Sequence, residues 1–317
     1  MAYGAVSNPW KVSKQRLNID AKPKDGNTFI VAAFNSRDTN RADYVCSGAD
    51  DDVVINQALS ALPSGGGLIK LVEGTFNISK AIQINTDNIS IVGSGRGTNI
   101  RTTKSIDFFN ANNRTGIIIK DIYLFGTSGG YNSGINMNTV DNCIISKCWF
   151  ENMSGLVIIL NYSTDSIIED CFIRNISSLN DGIFIGHSSG IIAVNNTVYG
   201  GGTGTSYGIT LHESIRCTVT GNAVSGTTSN GIWIFISDDC IVEGNNSSDN
   251  IADGINCAIG TNNVISNNRC DNNGAWGINI VALSLKNIVM GNQLVGNTSG
   301  GATDSGTSTE MAHNIVA

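Results

Sequence analysis

From residue 155 onward the chain repeats itself. A glycine followed by alternating apolar residues recurs at Gly155, Gly182, Gly208, Gly231, Gly254 and Gly277, at spacings of 27, 26, 23, 23 and 23 residues. A series of asparagines keeps step with it: Asn196, Asn222, Asn245, Asn268 and Asn292, spaced by 26, 23, 23 and 24. Two markers that drift together define one repeating unit, and a unit this short closes no core alone. Within each unit apolar residues alternate, as in Ile183/Ile185, between turns of Gly, Ser, Asn and Asp, with no helical stretch. Helical repeats are thereby excluded. Stacking each strand on its equivalent one repeat later gives parallel sheets around a continuous apolar interior, so the expected fold is all-β, a single-stranded parallel β-helix. Stacked amides explain the Asn series. The 8 cysteines contain no close C-x-x-C pair, and Cys148/Cys171 and Cys217/Cys240, each 23 apart, read as free core thiols in register.

The N-terminal part differs. Asp50-Asp51-Asp52 leads into an amphipathic segment, Val53 to Leu62, that Pro63-Ser64-Gly65-Gly66-Gly67 stops, so a helix near 51–62 with acidic residues at its positive end is expected to cap the solenoid and block edge pairing. The division that follows is an N-terminal arm over 1–27, a capping segment over 28–65, the parallel β-helix over 66–297 and a loose Gly/Ser/Thr-rich tail over 298–317.

Charge narrows the partners. The 19 Lys+Arg against 26 Asp+Glu give a net charge of -7, which offers a nucleic-acid backbone little to hold. No apolar run approaches the ~18 residues of a membrane span, and MAYGAVSNPW lacks the basic start and apolar stretch of a signal peptide. Neither a nucleic acid nor a membrane is the expected partner, and these features alone fix no localisation.

The run ADYVCSGADDDVVINQALSALPSGGGLIKLVEGTFNIS (42–79), followed by NISIVGSGRGTNI (88–100), resembles the opening segment of the pectate-lyase-like superfamily of right-handed parallel β-helices. Phage tail-spikes and bacterial surface proteins share this beginning, and the resemblance covers most of the chain from about residue 28. It implies a right-handed coil, an N-terminal capping α-helix and a polysaccharide partner, and through the tail-spikes a homotrimer; it assigns no reaction. Tyr207-Gly208-Ile209-Thr210-Leu211-His212-Glu213 is similar to the Tyr-Gly-x-Asp-Pro-His-Glu signature of mannuronan C5-epimerases, with Thr210 and Leu211 where that family has Asp and Pro. The resemblance implies that Tyr207 and His212 work on a uronate sugar.

If Ile183 and Ile185 point inward, Phe184 points out, and the same parity puts Asn136, Val157, Thr210, Trp233, Asn256 and Asn279 in one outer column. A second column holds Asn138, Ile159, Gly186, His212, Phe235, Ala258 and Val281. Phe184, Trp233 and Phe235 then offer flat apolar faces to sugar rings, while Arg174 and Arg216 are the basic side chains expected nearest. For β-elimination on a uronate, His212 is the candidate base and Tyr207 the candidate acid. For hydrolysis, Glu213 and Asp238 are the candidate carboxyl pair, whereas Asp181 and Asp253 lie three coils apart and read as turn formers. No metal ligand set is assigned, and Ca²⁺ is the cation that would bridge this acidic chain to an acidic glycan. The expected function is a lyase or depolymerase on a uronate-containing polysaccharide. A non-catalytic glycan-binding rod and a Glu213/Asp238 glycoside hydrolase are the alternatives.

Overall fold

The structure, a computed structural model, describes residues 27–126, 131–176, 180–201 and 206–316. The expected arm lies outside them except for Asn27. Each repeat forms three short strands, for example Ile209–His212, Thr218–Thr220 and Ala223–Ser225, followed one coil later by Ile232–Phe235, Ile241–Glu243 and Asn246–Ser248. Every strand pairs in parallel with its equivalent, as in Ile209↔Ile232 and Thr218↔Ile241. The first strands of the coils stack in chain order into a ten-stranded sheet B, from Ile82–Ile84 to Gly300–Asp304, and the other two faces merge into a 19-stranded sheet A.

The inward parity is the expected one: Ile183, Ile185, Ile209, Leu211, Ile232 and Ile234 are all fully buried. Each such side chain contributes about 1.5–3 kcal/mol of apolar burial. Polar ladders run through the turns beside this apolar stack. Asn222 Oδ1 accepts from the Asn196 backbone and side-chain amides at 2.8 and 3.0 Å, while Asn222 Nδ2 donates to Ala193 O and to Asn245 Oδ1. The same bonding continues through Asn268 and Asn292 to Asn314. A serine ladder, not anticipated above, occupies the turn after sheet B, where the amides of Ser163, Ser188 and Ser214 donate to the hydroxyls of Ser188, Ser214 and Ser237. All eight cysteines are buried free thiols.

The α-helix spans Asp51–Ser60 and packs Ile55, Ala58 and Leu59 into the core. Its aspartates act differently from the expectation. Asp50, the N-cap residue, makes no side-chain capping bond. Asp51 accepts from the Gly48 and Asn77 amides and Asp52 from the Ser79 amide. Asn56 accepts from the Gln83 amide and donates to Ala81 O. The helix therefore satisfies backbone groups of the first sheet B strand that an open edge would leave unpaired.

Both boundaries of the stack lie further out than the glycines suggest. Thr28–Ala32 already pairs with Gly67–Leu71, so coil pairing begins before residue 66. The segment expected to be a loose tail instead adds strands Gly300–Asp304, Glu310–Ala312 and Ile315–Val316 to both sheets. Its Gly/Ser/Thr composition serves turns, and Asn314 completes the Asn ladder. Among the described residues no helix is long and apolar enough to cross a membrane.

Candidate functional site on the outer face of sheet B

Strand register fixes which side chains meet on this face. Asn136, Ile159, Phe184, Thr210, Trp233, Asn256 and Asn279 form one column. Asn138, Asn161, Gly186, His212, Phe235 and Ala258 form the next. The coil before Phe184 departs from the expected parity by two residues. Ile158 pairs with Ile183, so Val157 falls before the strand and is buried, and Ile159 and Asn161 take the outward positions. Gly155 is therefore not the equivalent of Gly182.

The rings on this face touch in a chain. Tyr207 stacks on Trp233 at 4.5 Å between centroids, Trp233 on Phe235 at 4.7 Å, and Phe235 lies 5.2 Å from His212. From His212 the chain reaches Phe184 at 5.9 Å and His187 at 5.6 Å, and Tyr162 stacks on His187 at 4.6 Å. Gly186 makes room for this: a Cβ there would sit 2.5 Å from the Phe184 ring, between Asn161 and His212 in the column. Tyr207 meets Trp233 and not His212, so Trp233 and Phe235 stand between the expected acid and base.

His187 and Glu213 come from the turn. The residue after each of the four sheet B strands that carry the ring chain is left-handed, with φ of 51° at Tyr162, 48° at His187, 50° at Glu213 and 51° at Ile236. Such a backbone is uncommon outside Gly and turns the side chain away from the strand's alternation. As a result His187 Nδ1 lies 3.3 Å from Glu213 Oε2, and His212 Nδ1 lies 3.8 Å from Glu213 Oε1. His212 Nδ1 is buried and has no hydrogen-bond partner. His187, His212 and Glu213 offer ligand atoms within 4.8 Å of one another, and among the described residues they are the cluster whose geometry could hold a metal ion. Two imidazoles with one carboxylate do not suit Ca²⁺, which takes six to eight oxygens.

The remaining candidates sit elsewhere. Asp238 Oδ1 accepts the Thr261 amide at 2.7 Å, and Asp238 stands level with Ile215, two residues beyond Glu213. Arg216 donates to Ser189 Oγ at 3.0 Å on the flank of the site. Arg174 belongs to sheet A: it pairs with both Glu151 oxygens at 2.8 Å beside a cavity of about 250 Å³ lined by Arg96, Tyr123, Trp149 and Phe172. Contrary to expectation it faces away from the ring chain, because it lies on the third strand of its coil.

Asp181 is the residue that sequence reasoning missed. Burial pushes its carboxyl up to about 6, against lowering by Thr210 and by the Tyr207 backbone. The Thr210 hydroxyl faces Asp181 without reaching full hydrogen-bond geometry. Asp181 thus brings a carboxyl from the preceding coil toward Thr210, where the epimerase signature has its Asp. The sequence signal was position, since Asp181 is level with Tyr207 one coil earlier. Asp253, two coils beyond Tyr207, accepts from Asn256, Asn279 and the Trp276 amide and is a structural acceptor.

Stacked coils with one ring-lined outer face define the class: a right-handed parallel β-helix protein. The chain belongs to the family described as periplasmic copper-binding protein (NosD), whose model matches residues 158–316, half of the chain. Among solved structures it is similar to ORF18 of Geobacillus virus E2, at 15% identity and TM-score 0.72, covering 98% of this chain and 64% of that one. It is also similar to the A-module of Azotobacter vinelandii mannuronan C-5 epimerase AlgE6, at 18% identity and TM-score 0.62, covering 83% and 76%. The Dettilon tailspike protein follows at 16% identity and TM-score 0.61, covering 84% and 55%. These likenesses show the fold alone, and no curated protein matches the sequence.

Proposed function

We propose that the outer face of sheet B binds a polysaccharide and that the protein acts on it as a lyase or depolymerase of a uronate-containing chain. The observation that carries this reading is the unbroken run of rings that includes two imidazoles facing one carboxylate. Rings repeating with the coil, about 4.8 Å apart, suit the apolar faces of successive sugars. Support also comes from the similar folds named as a mannuronan C-5 epimerase and a tailspike.

In β-elimination a base takes the uronate C5 proton, the electron pair forms a C4–C5 double bond, the C4–O bond breaks, and an acid protonates the departing oxygen. His212, held on its Nδ1 side toward Glu213, offers Nε2 as the base. His187, edge-on to His212, is the nearest group to return a proton. Tyr207 then serves as platform through its stack on Trp233. Arg216 is the cation on this flank for the uronate carboxylate. The family's name speaks of copper. His187, His212 and Glu213 have the donor types that suit Cu²⁺, and none of these steps runs through a metal.

Trp233→Ala tests the platform. It should weaken oligouronate binding, measured by calorimetry, by about 1–3 kcal/mol with little change in melting temperature, because the half-buried ring contributes mainly stacking area. Unchanged affinity would remove the ring chain from recognition. The same reading includes a homotrimer, supported by the exposed ridge of Ile236, Ile259 and Leu283 along the turn column. Light scattering at micromolar concentration should give three times the 33.4 kDa chain mass; a monomer mass would sink it.

A further inference from the structure

His187, His212 and Glu213 present an arrangement that protein–protein bonds alone do not satisfy. Glu213 faces both imidazoles, at 3.3 Å from His187 Nδ1 and 3.8 Å from His212 Nδ1. The second separation is too long for a hydrogen bond, and His212 Nδ1 is buried without any partner. A buried acceptor or donor left bare is costly, and the usual remedies are a water or an ion. Two atoms bound to one ion at about 2.0–2.2 Å can be at most about 4.0–4.4 Å apart; both separations to Glu213 fall inside that span, and the three ligand atoms lie within 4.8 Å of one another.

We propose that these three residues form a binding site for one divalent first-row transition metal ion of the Cu²⁺ or Zn²⁺ type. The donors decide the class: imidazole nitrogen suits Zn²⁺, Cu²⁺ and Ni²⁺, whereas Ca²⁺ and Mg²⁺ require oxygen sets. The rings are held before any ion arrives. Tyr162 lies flat on His187 with 6° between planes, and His212 is packed between Phe184 and Phe235. Side-chain exposures of 31% for His187, 27% for His212 and 43% for Glu213 leave one side of the cluster open to water or substrate, the feature that distinguishes reactive from closed metal sites.

This inference goes beyond the glycan reading and stands if that reading fails. The two meet at His212, because an ion on Nδ1 leaves the ring proton on Nε2. The metal-loaded imidazole is then a hydrogen-bond donor and no longer a base. Loading should accordingly suppress any elimination that depends on His212 while leaving binding to the Trp233 platform intact.

The test uses the full chain, stripped with a chelator, dialysed, and titrated with Zn²⁺ by calorimetry and with Cu²⁺ by electron paramagnetic resonance. One equivalent should bind, with a copper spectrum split by two nitrogens. His187→Ala and His212→Ala should each weaken Zn²⁺ binding by about 100-fold or more and leave one nitrogen in the copper spectrum, since loss of an outer-shell partner alone costs 10–100-fold. Glu213→Gln, which keeps the side-chain shape, should also weaken it, and His313→Ala should bind as wild type. Absence of binding to wild type at micromolar metal, or wild-type affinity in the His187→Ala/His212→Ala double variant, would overturn the proposal. Neither readout depends on finding a polysaccharide substrate.

Discussion

Burial lets Asp181 keep its proton to a higher pH than an unperturbed aspartate does. Its folded pKa is raised to about 6, chiefly by burial, against about 3.9 for an unperturbed Asp. The folded state therefore binds the proton more tightly than the unfolded chain, and the stability linked to this group is full below about pH 4 and lost as pH rises through 6. Asp181→Asn keeps the carbonyl that accepts the Tyr207 amide and removes the buried charge. It should raise stability at pH 7.5 by about 1–3 kcal/mol and flatten the melting curve between pH 4 and 7, as followed by thermal denaturation across pH. A variant that melts with the wild-type pH dependence would show that Asp181 is solvated. Glu213 and His187 are the other residues whose meaning the linear sequence hides. Period-two alternation predicts where strand side chains point, but these two follow the strands in a left-handed turn and escape that rule. The outward placement of His212 was legible because it lies within its strand, whereas Glu213, named from sequence as a partner of Asp238, gave no sign that it would face two imidazoles.

At the level of elements, ladders rather than single contacts hold the coils in register. An interior rung such as Asn222 serves two neighbours, whereas Asn314 closes the series and has only Asn292 before it. Asn222→Ala strips acceptors from the Asn196 amides and leaves Ala193 O and Asn245 Oδ1 short of donors, all buried. Its cost should be about 2–4 kcal/mol, against about 1 kcal/mol for Asn314→Ala, in urea denaturation. Equal costs would mean that the rungs act independently. The Gly and Asn periods made the coils legible, and parity gave the inward stack. Register slipped by two residues at Val157 because the strand there starts at Ile158, three residues after Gly155, whereas Ile183 directly follows Gly182. Arg174 was misplaced because nearness along the chain does not say from which of three faces a side chain projects. The serine ladder escaped notice because Ser163, Ser188, Ser214 and Ser237 lie among many other turn serines.

For the whole molecule, the central claim is that one long face of a β-helix recognises a uronate polysaccharide and cleaves it by proton transfer at His212. Continuation of the stack to residue 316 makes the protein a single solenoid over its described length, with the ring chain spanning coils near its middle. A rigid scaffold of this kind suits either a catalyst or a passive glycan-binding rod, and the two are separated by chemistry alone. The most direct measurement is the ultraviolet absorbance of unsaturated uronates released from alginate, polygalacturonate and capsular polysaccharides by metal-free wild type and by His212→Ala. Wild type should generate the signal on at least one polymer, and His212→Ala should bind that polymer while its rate falls by roughly 10²–10⁴. No absorbance from wild type on any polymer, or an undiminished rate in His212→Ala, would contradict the account.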